Sequence, residues 1–187
     1  MENLINNSVE VNKAVKWVLD PSHSELTFKV KHLMISNVKG EFKKFDAEIN
    51  NEEFNNSSVK VTVEASSIFT NNTDRDNHLK SADFFDVENY PAITFESTSF
   101  EKIDDDEYKL KGLLTIKGVS KEAALDVEYG GSNTDPWGNV KAGFSFKGKI
   151  NRKDWGLTWN AALETGGVLV NDDVNISGDI QFIKKVQ

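Results

Sequence analysis

Cysteine is absent from this chain of 187 residues. Its absence excludes disulfides, thiolate metal sites and a cysteine nucleophile. Histidine is scarce. His23, His32 and His78 are the only three, far apart and without HxH or HExxH spacing. Asp74, Asp76 and His78 are the nearest approach to a ligand cluster. That is too little for a closed metal site, and no metal is expected. Long hydrophobic runs are missing too, so no integral membrane helix is expected. The opening MENLINNSVEVNKAVKW has no basic segment leading into a continuous apolar one. It does not read as a signal peptide, and a cytoplasmic location is expected, a periplasmic one staying open. Positive charge is the minority, with 22 Lys+Arg against 30 Asp+Glu and a net charge of −8. That balance argues against nucleic acid as a partner and against docking on an anionic membrane.

Catalytic motifs are missing as well. There is no GxSxG elbow. Gly166–Gly167 precedes a strand-like Val168–Val170, so no phosphate-cradling loop opens a helix. Asp104 and Asp106 lie in an acidic turn, where solvation is their ordinary fate. The chain therefore reads as non-catalytic, with no catalytic residue and no cofactor.

What is present is alternation. Leu26, Phe28 and Val30 alternate with charged and polar residues, and His32 continues their parity. Val59, Val61 and Val63 repeat the pattern, as do Ile93 and Phe95, then Leu110, Gly112 and Leu114. Later come Ala123 to Tyr129, then Val140 to Ile150, and last Val174 to Phe182. In Asn37–Asn50 the parity slips at Lys43–Lys44, which predicts a β-bulge. Gly130–Gly131 marks a strand end, and Asn151–Leu163 is irregular. About eight or nine strands with short turns and no βαβ rhythm make an antiparallel all-β fold. Gly40, Gly112, Gly148 and Gly178 fall within strands, where they predict sharp bends or close strand approach in a small barrel. A β-sandwich is the competing architecture. The segment 1–15 is expected to be a flexible tail, and 16–187 a single barrel domain.

One stretch breaks the alternation: TDRDNHLKSADFFDVENYPAITF, Thr73–Phe95. Thr73 is a candidate helix N-cap, with Asp74 and Asp76 in the first turn and Lys80 in the last. Pro91 ends any helix and returns the chain to a strand. A connector this long in an all-β chain is either a lid or a plug for one barrel end.

The inward faces are rich in phenylalanine. By strand parity the candidate cavity wall is Leu26, Phe28, Val30, Phe42, Val61, Phe95, Leu114, Phe144, Phe146 and Ile176. Phe84 and Phe85 of the connector and Trp155 of the irregular stretch complete the set. His32 is either a polar handle for a ligand head group or a satisfied histidine at the barrel's end. Such an interior lines a cavity or packs solid.

Four stretches, in order from Trp17 to about Phe182, carry a resemblance. The first, from Trp17 to Ile49, has the Asp-Pro-x-His-Ser start, His32 and the Gly40-x-Phe42 step. The second has Arg75–Asp76, His78–Leu79, Asp83–Phe84–Phe85 and Tyr90–Pro91. The third is LLTIKGVSKEAALDVEY, and the fourth is NRKDWGL, Asn151–Leu157. Together they resemble the YceI-like family of lipocalin-like polyisoprenoid-binding proteins. The resemblance implies an extended, eight-stranded antiparallel β-barrel with a short helical element in the connector, 73–90. It implies an elongated apolar cavity for a polyisoprenoid, a prenyl quinone or a related lipid, bound for sequestration or transport. The partner is then a hydrophobic small molecule, with a homodimer also compatible. The alternatives are an enzyme acting on a lipid inside the barrel, through His32 or His78, and a solid-packed stress or interaction protein.

Overall fold

The alternating segments fold into eleven strands of one antiparallel sheet that closes on itself. The structure is a computed structural model that describes residues 13–187. Most of the expected flexible tail lies outside the described residues, and its last residue, Val15, already belongs to a strand.

Five long strands make most of the wall. They are β7 (Ala92–Lys102), β8 (Glu107–Ile116), β9 (Val119–Thr134), β10 (Val140–Asn151) and β11 (Val170–Val186). The other three places are each filled by two short strands in line. β1 (Val15–Leu19) and β2 (Glu25–His32) both pair with β11, β1 at its C-terminal end and β2 at its N-terminal end. β3 (Ser36–Phe42) pairs with β2, and β4 (Phe45–Asn50) with β1. β5 (Ser58–Glu64) joins β4 to β7, and β6 (Ile68–Phe69) lies against β3. The result is a closed barrel of eight antiparallel places.

The parity slip at Lys43–Lys44 is a change of partner, which corrects the expected bulge. Lys43 N–H donates to Ser67 O, and Lys44 N–H to Ser67 Oγ. Both lysines thus bond to the single 3₁₀ turn Ala65–Ser67 that separates β5 from β6. Two neighbouring places kink at the same level, and β3 and β4 face different partners on either side. Bulges occur elsewhere. The β9–β10 register passes from Gly131↔Gly143 to Tyr129↔Phe144, leaving Gly130 unmatched. Gly131 has φ +109°, so the glycine pair is a bulge inside β9, and the strand runs on to Thr134.

The kink between β1 and β2 is held by Asp20. Its side chain caps the turn Pro21–His23 by accepting from Ser22 N–H, and it accepts from Lys141 Nζ at 2.8 Å. Burial raises the Asp20 carboxyl, but hydrogen bonds from Lys141, Ser22 and His23 outweigh it and hold the group far below the usual carboxylate range. The pH dependence follows from this depressed value. The stabilisation is complete above the ordinary pKa of 3.8 and drains away as pH falls below it. Asp20→Asn should therefore lower the urea midpoint at neutral pH, and the gap to the parent protein should narrow by about pH 3. An equal gap at both pH values would contradict the ionic role.

Gly112 and Gly178 are strand glycines with no room for a side chain. At Gly178 a Cβ would run into Glu25 O and lie 2.6 Å from the Phe146 ring, and at Gly112 it would meet Glu96 O and the Phe95 ring. Each glycine lets a phenylalanine lie flat across the inner wall. Gly178→Ala should cost about 1–3 kcal/mol, as overpacking does, read from the denaturant midpoint.

One barrel end is packed solid. Phe54, on the loop after β4, meets Phe144 edge-to-face at 4.9 Å and lies tilted against Trp17 at 5.2 Å and Tyr129 at 5.3 Å. Phe100, Tyr108 and Phe182 complete this plug. The opposite end carries the connector, the β2–β3 turn and the loop between β10 and β11.

Candidate functional site

Above the aromatic plug the barrel is hollow. The cavity has a volume of about 270 Å³ and takes wall residues from all eight places. Among the described residues, only Thr94 and Arg152 of its lining are polar. Apart from the Thr94 hydroxyl and the Arg152 guanidinium the wall is apolar, which suits it to hold an apolar molecule.

The parity-derived residues Leu26, Phe28, Val30, Phe42, Val61, Phe95, Leu114, Phe144, Phe146 and Ile176 all line this cavity, and so do Phe84 and Phe85. His32 and Trp155 do not. His32 sits half-buried where β2 ends, opposite Ser36 and Val170, and its carbonyl accepts from Ile35 N–H and Ser36 Oγ. Parity assigns it to the inner side, but it is the last residue of its strand and is not part of the cavity wall. Trp155 stands on a 3₁₀ turn, Arg152–Trp155, where strand parity no longer applies. It is buried among Val63, Ile93, Ile116 and Leu157 and donates its ring N–H to Leu114 O at 2.8 Å. It fills interior volume beside the cavity.

The connector forms the cavity's roof. Its helix, α1 (Thr73–Lys80), is capped by Asn72 rather than Thr73: Asn72 Oδ1 accepts from Arg75 N–H at 2.9 Å. Both residue types cap well, and the sequence alone does not choose between neighbours. Arg75 and Asp76 grip one residue. Arg75 donates from Nε to Thr70 Oγ1 and from Nη2 to Thr70 O, while buried Asp76 accepts from Thr70 N–H and Oγ1. These bonds tie the first turn of α1 to the strand end after β6. His78 Nε2 lies 2.9 Å from Asp83, and its ring meets Phe84 and Trp159 edge-on, at 5.1 and 4.7 Å. Phe84, Phe85 and Leu79 are thereby fixed facing inward. Phe85 meets Phe42 edge-to-face at 5.9 Å.

Arg152 is the functional-site residue that parity cannot find. It is 4 % exposed and reaches the cavity wall from the turn after β10. Its guanidinium donates to four backbone carbonyls, those of Leu157, Trp159, Val170 and Asn171. Asp172 stands 3.9 Å from it. Burial pushes its pKa down and Asp172 opposes the shift. Two of the carbonyls, of Leu157 and Trp159, come from the chain just after the turn, and two, of Val170 and Asn171, from the irregular start of β11, where the register skips between Val170 and Val174. Its signal in the sequence is the Asn151-Arg-x-Asp-Trp-Gly stretch, which also holds the αL glycine, Gly156, that ends the turn.

Comparison with known proteins places this geometry. The model of the YceI-like domain family matches residues 17–182. A UPF0312 protein of Staphylococcus aureus strain N315 is 41% identical over 169 residues, which span 89% of this chain and 96% of that protein. The crystal structure of a Campylobacter jejuni YCEI protein is 39% identical with a TM-score of 0.67, covering 84% of this chain and 89% of that one. A polyisoprenoid binding domain from Saccharophagus degradans, implicated in plant cell wall breakdown, shares the fold at a TM-score of 0.61. It is only 14% identical, covering 89% of this chain and 97% of that one.

Proposed function

The chain belongs to the YceI-like domain family, and from that premise we propose that its barrel takes up a single long apolar chain, a polyisoprenoid or related lipid, and performs no chemistry on it. The observation that carries this reading is the barrel cavity with an almost wholly apolar wall, roofed by the connector. The name of the Saccharophagus degradans domain, which shares the fold, supports the choice of a polyisoprenoid. The role follows from the chemistry: sequestration or carriage of a tail that water rejects.

Magnitudes fit a tail of moderate length. Burial is worth about 0.8 kcal/mol per CH₂, so about ten buried carbons supply roughly 8 kcal/mol, or micromolar affinity before the cost of ordering the tail. The volume of about 270 Å³ lies just under the ordinary range of ligand pockets, about 300–1,000 Å³. A longer tail enters by turning side chains aside, and the roof aromatics are the ones on a connector rather than on a barrel strand.

Incubation of delipidated protein with a prenyl quinone tests the proposal, with uptake measured by extraction and mass spectrometry. One equivalent retained through gel filtration is expected, and no retention would overturn the reading. Phe85→Ala should speed release of the bound quinone, roughly tenfold, because it removes a roof ring that rests on Phe42 alone among the aromatics. A plug without a gating role would instead lower the melting temperature and leave the release rate unchanged.

A further inference from the structure

The turn joining β2 to β3 has the wrong chemistry for a turn. Leu33, Met34 and Ile35 occupy it, exposed by 39%, 52% and 83%. Leu33 and Met34 both adopt left-handed backbone, with φ of +54° and +64°, a conformation that tight hairpins ordinarily assign to Asn and Gly. Three large apolar side chains are thus held out at the barrel's rim, two of them on backbone that disfavours them.

The surroundings extend this tip. Leu33 N–H donates to Leu169 O, and Met34 lies over Gly167, so the β10–β11 loop sits directly beside it. From Gly156 to Val170 that loop carries one charged residue, Glu164. The hairpin from Leu26 to Gly40 carries Lys29, Lys31 and Lys39 and no acid. All three lysines are exposed, and none makes an ion pair among the described residues. Lys29 and Lys39 are register partners, and like charges placed directly opposite repel. At about 3.3 Å per residue, Lys31 stands about 7 Å behind the tip and Lys29 and Lys39 about 13 Å. Long lysine stems cover part of that distance. The nearest acids on these two strands, Glu25 and Glu41, lie farther from the tip, while Asp172 and Asp173 of the neighbouring β11 fall level with Lys31 and are paired with Arg152, Lys153 and Lys149.

We propose that this hairpin is a docking tip for an anionic phospholipid bilayer: Leu33, Met34 and Ile35 enter the headgroup layer and Lys29, Lys31 and Lys39 face the lipid phosphates. An apolar wedge backed by basic residues is the recurring chemistry of interfacial binding. The net charge of −8 opposes approach at long range. At contact, with screening over about 8 Å, the unpaired charges within reach of the bilayer among the described residues are Lys31, Lys29 and Lys39 by their long stems, and a single acid, Glu164 of the neighbouring loop. The tip is also continuous with the cavity: Val30 and Val170, on the strands that flank it, are wall residues. Docking here sets the roofed end of the barrel against the bilayer.

The test is co-sedimentation of delipidated protein with vesicles of phosphatidylglycerol and phosphatidylcholine, beside vesicles of phosphatidylcholine alone. The use of empty protein separates docking from uptake of a chain. Binding to the anionic vesicles is expected, weakened roughly tenfold by Ile35→Ser and lost at about 1 M salt, where the screening length is about 3 Å. The combined Lys29→Gln, Lys31→Gln and Lys39→Gln variant should bind the anionic vesicles no better than the neutral ones. Ile35→Trp should give a blue-shifted emission when anionic vesicles are added. Ile35 is the most exposed residue of the three, so Ile35→Ser should melt with the parent protein. Failure of the parent protein to bind anionic vesicles overturns the proposal. So does binding that Ile35→Ser leaves unchanged. A change in the protein's mass in solution on Ile35→Ser, without any vesicle binding, would assign the tip to contact between copies of the chain and overturn it equally.

Discussion

Arg152→Leu should destabilise the protein by about 3–5 kcal/mol, the range seen when one partner of a buried charged network is removed. The argument is one of unsatisfied groups rather than lost attraction. Four carbonyls, from Leu157, Trp159, Val170 and Asn171, converge on one guanidinium that is 4 % exposed. Without it the carbonyls of Leu157, Trp159 and Asn171 lose their arginine donor, while Val170 O keeps Asn160 Nδ2 at 2.7 Å, and each orphaned buried polar group costs about 1–3 kcal/mol. Part of that cost is avoided if the chain between residues 156 and 171 moves outward to water. Arg152→Leu should therefore also raise hydrogen exchange in this loop above the rest of the barrel. Lysine is no substitute, because its ammonium has three donors on one atom and cannot span carbonyls on both sides of a planar fork. Urea denaturation of Arg152→Lys provides the check. A loss of several kcal/mol is expected, whereas a loss under about 1 kcal/mol would reduce Arg152 to an ordinary surface cation.

Filling the cavity should abolish uptake of an apolar chain while sparing the fold. Val61, Phe95 and Leu114 lie in one row across β5, β7 and β8, all facing the cavity. The double variant Val61→Phe, Leu114→Phe crowds that row from both sides of Phe95. Affinity for a prenyl quinone should fall by at least about a hundredfold, since some 3 kcal/mol corresponds to a few buried methylenes. The overpacking cost is about 1–3 kcal/mol and should leave a folded barrel. Equilibrium binding of the quinone, with the melting temperature followed in parallel, separates a blocked cavity from a collapsed one. Undiminished binding would place the ligand outside the barrel.

The sequence exposed the barrel because antiparallel strands with one wet face write their orientation residue by residue. Leu26, Phe28 and Val30 declare their side of the sheet without any knowledge of their neighbours, and the structure puts all three on the cavity wall. Strand glycines were legible for the same reason: Gly178 leaves a gap in an otherwise regular inward row, and Phe146 lies across it.

Pairing was not legible in this way. The slip at Lys43–Lys44 reflects a 3₁₀ turn in the neighbouring place, at Ala65–Ser67, which no local pattern near residue 43 contains. The Gly130–Gly131 pair resembles a strand end, yet β10 continues beside it and turns it into a bulge. Arg152 was hidden for a further reason. An arginine in an irregular, polar stretch is ordinarily solvated, and it is the folding back of that stretch, at Leu157 and Trp159, together with the start of β11, at Val170 and Asn171, that makes it interior. His32 and Trp155 show where parity stops, one at a strand's last residue and the other on a turn. Within the connector, the chemistry of Arg75, Asp76 and His78 was visible as a polar trio. Its division into a grip on Thr70 and an aromatic contact with Trp159 depends on the residue after β6 and on the loop after β10.

The roofed, apolar barrel makes its most direct prediction about what it contains. Native mass spectrometry of the intact purified protein should reveal a single neutral long-chain adduct. The Val61→Phe, Leu114→Phe variant should lack that adduct, and the delipidated parent protein should regain one equivalent on exposure to a prenyl quinone. Protein that carries no adduct and takes up no quinone, with its barrel intact by circular dichroism, would contradict the account.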